Sequence, residues 1–80
     1  MTHIPQNIKI GRYRHYKGKE YEVIGVAKHT ETLEDLVIYR ALYKSEEFGD
    51  GALWARPVAM FLETVMVDGK EISRFQHIVN

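Results

Sequence analysis

The sequence contains no cysteine, and it has only two prolines among its 80 residues. Without thiols the chain cannot form disulfides or a thiolate zinc site, which are common means of stabilising very small domains. A domain of this size buries only about 60% of the surface that its unfolded chain exposes, so its core must be thin. All of its stability must therefore come from packing.

Long hydrophobic runs are also missing. No apolar stretch approaches the roughly 20 residues that a membrane-spanning helix needs, and the N-terminal segment MTHIPQNIKIG lacks the apolar core of a signal peptide. We therefore predict a cytoplasmic protein with no membrane role. Hydrophobic residues make up 45% of the chain and charged residues 28%, a composition that is typical of a globular domain.

The chain has no net charge, but its charges are unevenly distributed. Residues 1 to 28 carry six basic and two acidic side chains, and residues 29 to 80 carry five basic and nine acidic ones. The simpler interpretation is that the two halves face and neutralise each other. The alternative is a basic first hairpin that meets a polyanion or an acidic patch on a second copy. Overall neutrality argues against a dedicated nucleic-acid binder.

The first hairpin is predicted from alternating residue character. Residues 11 to 16 and 20 to 27 flank Lys17-Gly18, and glycine tolerates the positive φ that a tight turn requires. The alternation fails at Ile24-Gly25, where we predict a β-bulge. It places Arg12, Arg14 and Tyr16 on one face of the first strand, with Tyr13 and His15 on the other.

Residues 31 to 43 allow two interpretations. Five residues fall at helical spacing, namely Leu33, Leu36, Val37, Arg40 and Ala41, and Thr32 with Asp35 resembles a helix N-cap pair. Against a helix, residues 36 to 39 are β-branched and aromatic and begin a mostly apolar run, as in a fully covered central strand. We predict a strand with a turn at 30 to 35, and a helix is the alternative.

The last third of the chain contains a loop, a strand, a helical turn and a hairpin. Residues 44 to 51 are polar with two glycines and predict an exposed loop. A short strand follows and stops at Pro57, which suits the start of a helical turn over residues 58 to 61. Asp68-Gly69 is the strongest hairpin signal. Its two-residue loop pairs Val67 with Lys70, Val65 with Ile72, Glu63 with Arg74 and Leu62 with Phe75.

Short strands separated by turns predict a mainly β fold. We expect a small SH3-like, partly open barrel of about five strands with one short helical turn. Residues 1 to 10 are predicted as a lead-in segment, and residues 11 to 80 as a single small β-barrel domain. In such a domain the edges and the mouth of the barrel carry binding.

Several motifs resemble one bacterial family. They are YRHYKG at 13 to 18, Tyr21, AKHTET at 27 to 32, YRALY at 39 to 43, LWARP at 53 to 57, and Met60-Phe61. Together they are similar to the family called domain of unknown function 1653, over Gly11 to Phe75. Ala55 departs from the pattern, where a larger aliphatic residue is expected. The resemblance implies a single domain and supplies no activity, substrate or cofactor.

Metal binding and catalysis find little support in the residues. The four histidines show neither H-x-H nor H-E-x-x-H spacing, so we predict no metal. The two serines, Ser45 and Ser73, do not lie in a G-x-S-x-G elbow, so we predict no catalytic residue and no cofactor. His29 and Glu31 would indicate an enzyme only if a deep cleft brought them within hydrogen-bonding reach.

A set of aromatic and polar residues is the better candidate site. Flat side chains beside an arginine suit a nucleotide, single-stranded nucleic acid or a carboxylate-bearing peptide. The candidate ligand-binding residues are Tyr16, His29, Glu31, Tyr39, Trp54 and Arg56. The structural alternative is that they form the core and rim of a thin domain.

We therefore expect a small binding module for an anionic or aromatic ligand. The alternative function is a self-associating structural or adaptor protein, such as a homodimer, and a small enzyme is the third hypothesis. The partner would be a small anionic ligand, a nucleic acid or another protein.

Overall fold

The structure is a computed structural model, and it describes residues 8 to 78. It contains nine short strands and one helical turn. The elements in chain order are β1 (Gly11–His15), β2 (Glu20–Lys28), β3 (Asp35–Ala41), β4 (Lys44–Ser45), β5 (Gly49–Asp50), β6 (Leu53–Pro57), α1 (Val58–Phe61), β7 (Thr64–Val67), β8 (Lys70–Ser73) and β9 (Phe75–His77). The chain is thus mainly β with one short helical turn, as predicted.

Five strands form one antiparallel sheet in the order β6-β3-β2-β1-β9. The first hairpin joins β1 to β2 through a turn in which Gly18 has a φ of 108°. The pairing of β2 with β3 shifts register between Val23 and Gly25, which confirms the predicted bulge. Strands β6 and β9 are the two edges, and no described backbone hydrogen bond joins them, so the sheet is not a closed barrel.

The strand interpretation of β3 is confirmed, and the helical alternative is wrong. β3 is the second strand of the sheet and is flanked by β2 and β6. Val37, Tyr39 and Ala41 are buried, with period-2 spacing. A helix would have left the apolar run from Leu36 to Tyr39 partly uncovered, whereas β-branched and aromatic residues fill a pleated surface.

The core is thin and largely aromatic. Tyr13, Tyr39, Phe61 and Phe75 are buried, and the rings of Phe61 and Phe75 stack with their centroids 4.3 Å apart. Phe61 comes from α1, so this single turn of helix covers one side of the core. Ile8 is also buried, although it belongs to the segment predicted as a lead-in. Residues 1 to 7 of that segment lie outside the described residues.

The hairpin of β7 and β8 has the predicted register near its turn, but the predicted pair of Leu62 with Phe75 is wrong. Leu62 ends α1, and Phe75 pairs instead with His15 of β1. Val67 pairs with Lys70 and Val65 pairs with Ile72. Asp68 and Gly69 both have positive φ, 52° and 79°, as a two-residue hairpin turn requires. The pairing continues to Glu63 and Arg74, where the Arg74 amide donates to the Glu63 carbonyl at 3.0 Å.

Across residues 8 to 78, no helix is both long enough and apolar enough to cross a membrane.

Candidate functional site

Strand register gathers three of the predicted site residues on one face of the sheet. Trp54 and Arg56 are two residues apart on β6, so their side chains share a face. Tyr39 on β3 lies opposite Trp54 in the register. Tyr39 is also opposite the buried Val23 of β2, which identifies this face as the core side. The core-side face therefore brings Tyr39, Trp54 and Arg56 together.

These three residues line a pocket that we call the aromatic pocket. Its volume is about 370 Å³, which falls within the range of small-molecule sites. Five aromatic side chains, two cations and one serine form its walls. The lining residues are Lys19, Tyr21, Tyr39, Tyr43, Ser45, Phe48, Trp54 and Arg56.

The Arg56 guanidinium is held in place by two contacts. Its Nε donates a hydrogen bond to the Tyr39 hydroxyl at 3.2 Å. The guanidinium carbon also lies 5.6 Å from the centre of the Phe75 ring, within the range of a cation–π contact. Neither contact uses the terminal nitrogens of Arg56. These nitrogens are the pair that binds a carboxylate or phosphate in a bidentate manner.

A second cation lies beside a pair of tyrosines. The Lys19 ammonium is 4.1 Å from the centre of the Tyr43 ring. The hydroxyl oxygens of Tyr43 and Tyr21 are 2.9 Å apart and share a hydrogen bond. Burial, and then the hydrogen bond with Tyr43, raises the pKa of Tyr21 above its usual value, so its hydroxyl stays protonated at neutral pH. This end of the pocket offers an ammonium and two hydroxyl groups.

The outer wall of the pocket comes from the segment predicted as a loop. Phe48 lies in the bend between the short strands β4 and β5, and it is 57% exposed. Its ring meets Trp54 edge to face, with centroids 5.0 Å apart. The indole N–H of Trp54 is buried and has no hydrogen-bond partner among the described residues. The exposed Phe48 ring therefore covers the outer side of the pocket, next to the buried indole of Trp54.

The two cations of this pocket differ in charge pairing from four other basic side chains of the described residues. Elsewhere in residues 8 to 78, four basic side chains lie within 4 Å of a carboxylate, and these are Arg12, Arg14, Lys28 and Arg74. Neither Lys19 nor Arg56 forms an ion pair within this range. No acidic side chain lines the pocket. The aromatic pocket therefore has two positive charges that no described acid neutralises.

Tyr16 lies in a different depression, which we call the hairpin pocket. Its volume is about 400 Å³, and it is lined by Arg14, His15, Tyr16, Ile72, Ser73 and Gln76. The ring of His15 meets the Phe75 ring at 5.0 Å, and its Nδ1 accepts the Lys17 backbone N–H at 3.2 Å. Burial, and then the nearby cations of Arg74, Arg56 and Lys17, lowers the pKa of His15 below 6.5.

His29 and Glu31 lie in the exposed turn between β2 and β3. Nδ1 of His29 accepts the backbone N–H groups of Glu31 at 3.1 Å and Thr32 at 3.2 Å. These bonds hold a turn in which Leu33 has a φ of 63°, which is unusual for a residue with a branched side chain. Neither His29 nor Glu31 lines either pocket. The structure thus leaves both residues away from Trp54 and Arg56.

Five lining residues of the aromatic pocket were absent from the sequence-based set. Three of them are an even number of residues away from a neighbour on the same face, as strand alternation requires. Tyr43 lies four residues after Tyr39, and Lys19 lies two residues before Tyr21. Tyr21 in turn is opposite Tyr13, a core-side residue, in the first hairpin. Ser45 and Phe48 follow no such period, because they belong to the loop.

The described part of the chain contains no group of three histidine, aspartate or glutamate side chains that could hold a metal ion.

Comparison with known proteins identifies the family. The family model described as "Protein of unknown function (DUF1653)" matches residues 11–77. The chain is similar to the crystal structure of a DUF1653 protein from Bordetella bronchiseptica, with a TM-score of 0.81 and 33% identity over 91% of this chain and 90% of that chain. The curated proteins gave no match. The resemblance carried by the sequence motifs is confirmed, and the chain belongs to the DUF1653 family.

Proposed function

We propose that the protein is a binding module whose aromatic pocket holds an anionic group attached to a flat or apolar body. The observation that carries this proposal is the unpaired charge of Lys19 and Arg56 in an aromatic pocket without acidic lining. A charge-assisted hydrogen bond to a carboxylate or phosphate would stabilise a bound ligand more than a neutral one does. The aromatic walls would receive the rest of the ligand.

The ligand classes that suit this chemistry are the nucleotides, single-stranded nucleic acids and carboxylate-bearing peptides predicted from the sequence. All three combine an anionic group with planar or apolar atoms. Tyr39, Tyr43 and Trp54 provide faces or edges for stacking, and the hydroxyls beside Lys19 provide further hydrogen bonds.

The proposal includes the SH3-like, partly open barrel as the scaffold of the pocket. In a flat sheet of this order the edge strands β6 and β9 would lie about 19 Å apart, at about 4.8 Å per strand. The Arg56 guanidinium of β6 nevertheless lies 5.6 Å from the ring of Phe75 on β9. Strong curling of the sheet toward its core side accounts for this contact.

A cytoplasmic location is part of the same proposal, and cell fractionation would test it.

Trp54 is the only tryptophan, so its fluorescence reports directly on the pocket. We would titrate the full chain with benzoate, phenyl phosphate and AMP, and in parallel with their uncharged counterparts benzamide, phenol and adenosine. We expect the anions to change the Trp54 emission and the amide NMR signals of Tyr39 and Arg56, with weaker responses to the neutral compounds. Added salt should weaken the response to phenyl phosphate.

A flat response of Trp54 to all six compounds at millimolar concentration would contradict the proposal. An equal response to charged and uncharged compounds would contradict the role of Lys19 and Arg56, because the charge of the ligand would then have no effect. The amide signals of the β7–β8 hairpin serve as an internal control, since this hairpin lies outside the aromatic pocket.

A further inference from the structure

Strand β6 presents a free backbone edge beside the aromatic pocket. The backbone N–H of Ala41 donates to the carbonyl of Ala52 at 2.8 Å, which fixes the phase of the ladder between β3 and β6. Hydrogen-bonded and non-hydrogen-bonded pairs alternate along an antiparallel ladder. The pair formed by Arg40 and Leu53 is therefore non-hydrogen-bonded, and so is that of Ile38 and Ala55.

It follows that Leu53 and Ala55 direct their N–H and C=O groups away from the sheet. No described residue forms a hydrogen bond with either of these backbone groups. Both residues are exposed, Leu53 by 58%. Pro57 occupies the next outward position, where its missing N–H removes no bond from the ladder and ends the usable edge.

The free edge and the pocket are connected by Trp54. This residue lies between the two outward positions, and its side chain lines the pocket. In a strand added to β6, the residues opposite Leu53 and Ala55 would bond to the edge. The residue between them would lie opposite Trp54, with its side chain on the core-side face.

We propose that β6 accepts an extended peptide segment in antiparallel orientation, with an aspartate or glutamate opposite Trp54 whose carboxylate binds Arg56 in the aromatic pocket. This inference rests on the proposed function and assigns its ligand to one class. The backbone edge favours a peptide, because a nucleotide has no regularly spaced amides to pair with Leu53 and Ala55. The unpaired guanidinium favours an acidic residue at the central position.

The experiment uses the blocked pentapeptide acetyl-Val-Thr-Glu-Thr-Val-amide and the fluorescence of Trp54 in the full chain. Replacing the peptide's Glu by Gln should weaken binding about tenfold or more, because the acceptor that faces the Arg56 guanidinium loses its negative charge. Methylating the amide nitrogens of both Thr residues should weaken binding by about fivefold or more, because both donate to the edge. Methylating the Glu nitrogen is the matched control and should have no effect, since that N–H points away from β6.

A substitution in the protein tests the same edge. Ala55→Pro removes the outward N–H without removing a ladder bond to β3, whereas Ala55→Val keeps it. We expect the proline variant to bind the pentapeptide at least fivefold more weakly and the valine variant to bind it normally. A thermal melt shows whether each variant is folded. The methylated peptides test the edge independently if the proline variant does not fold.

The outcomes separate this inference from the proposed function. If N-acetylglutamate amide binds as tightly as the pentapeptide, or if Thr methylation has no effect, edge pairing is overturned and the anion pocket stands. If neither benzoate nor the pentapeptide changes Trp54, both proposals fail. A peptide-free chain that sediments as a dimer, and that Ala55→Pro converts to a monomer, would assign the edge to a second copy and overturn the peptide proposal.

Discussion

The aromatic pocket and the hairpin pocket have similar volumes, about 370 and about 400 Å³, and each is lined by an arginine and a tyrosine. They differ in how their charged groups are paired. In the hairpin pocket, Arg14 donates a hydrogen bond to the Glu20 carboxylate at 3.1 Å, and Nδ1 of His15 accepts a backbone N–H. In the aromatic pocket, Arg56 binds only a neutral hydroxyl and a ring face.

Because the two volumes are similar and each pocket contains an arginine, charge pairing is the property that separates the two candidates. A cation that already has a carboxylate partner must lose it before it can bind a ligand, so the net gain is small. A cation held by a hydroxyl and a ring keeps its interaction with anions. Arg56 meets this second description and Arg14 the first, although both are arginines on short strands of one sheet.

The largest expected effect comes from removing the ring that supports both pockets. Phe75 is buried, and it contacts Arg56 of one pocket and His15 of the other. Phe75→Ala should lower the free energy of unfolding by about 3–5 kcal/mol, because it leaves a cavity in a thin aromatic core. Urea denaturation followed by circular dichroism would measure this loss.

The matched control for Phe75→Ala is Phe48→Ala, which removes the same ring from an exposed position of the aromatic pocket. We expect this variant to lose less than about 1 kcal/mol of stability, because exposed groups contribute little to folding. A similar loss in both variants would show that Phe48 is part of the core and not a cover of the pocket.

The second prediction compares the two arginines directly. Arg56→Gln should weaken phenyl phosphate binding about tenfold or more, because it removes an unpaired cation from the site. Arg14→Gln should leave binding within about twofold, because that charge is already paired with Glu20. Isothermal titration calorimetry on both variants would measure the difference. If Arg14→Gln has the larger effect, then the anion binds in the hairpin pocket and the comparison is reversed.

The third prediction concerns pH and His15. Because its pKa is lowered in the folded chain, the unfolded chain binds more protons just below pH 6.5. The contribution of His15 to stability is therefore complete above pH 6.5, and it is lost as the pH falls from 6.5 toward the lowered folded pKa. Urea denaturation of the wild type and of His15→Gln between pH 8 and pH 5 would measure this, with the flatter profile expected for the variant.

The same titration connects the two pockets. Arg56 is among the cations that lower the pKa of His15, after burial and Arg74. Arg56→Gln should therefore raise the pKa of His15, which NMR of the imidazole ring would follow. A bound anion at Arg56 should shift this pKa in the same direction. If the pKa of His15 does not change in either experiment, then the two pockets are electrostatically independent.

Much of the fold could be predicted from local signals. The Asp68-Gly69 turn fixed the register of its hairpin, because only a two-residue loop with two positive φ values fits that pair. The strand character of β3 followed from β-branched and aromatic residues, against a competing helical pattern. The contact between Arg56 and Phe75 could not be predicted, because it joins the two edge strands of the sheet and has no local sequence signal.

Strand alternation accounts for the convergence of three candidate residues, although the sequence alone did not establish that they share a face. Tyr39, Trp54 and Arg56 lie on strands, and the structure brings them to one pocket. The alternation that put Tyr16 with Arg12 and Arg14 already separated it from Tyr13, which is on the core side. His29 belongs to a turn that its own ring stabilises.

The loop residues of the site had no sequence signal. Ser45 and Phe48 belong to the segment that contains the short paired strands β4 and β5. Its path depends on that pairing and on the contact between Phe48 and Trp54, and strand alternation does not extend through it. Polar and glycine-rich composition indicated an exposed segment, but it predicted neither the short paired strands β4 and β5 nor the direction of the Phe48 side chain. The role of Phe48 in the pocket can therefore be recognised only once the position of the Trp54 ring is known.

The smallest expected effect concerns the two lysines that lie over tyrosine rings. Lys19 is 4.1 Å from the Tyr43 ring in the aromatic pocket, and Lys17 is 5.8 Å from the Tyr16 ring near the hairpin pocket. Lys19→Gln should weaken phenyl phosphate binding by about two- to fivefold, as expected for an exposed charge. Lys17→Gln removes the same charge from a position near the hairpin pocket and should leave the affinity unchanged.

Salt dependence completes this last comparison. Long-range attraction by an exposed lysine is screened within about 8 Å at physiological ionic strength. The difference between wild type and Lys19→Gln should therefore shrink as sodium chloride is raised from 20 to 300 mM, whereas the larger effect of Arg56→Gln, which depends on direct contact, should persist. If Lys17→Gln weakens binding as much as Lys19→Gln does, then the lysines act through the general charge of the first hairpin and not through the aromatic pocket.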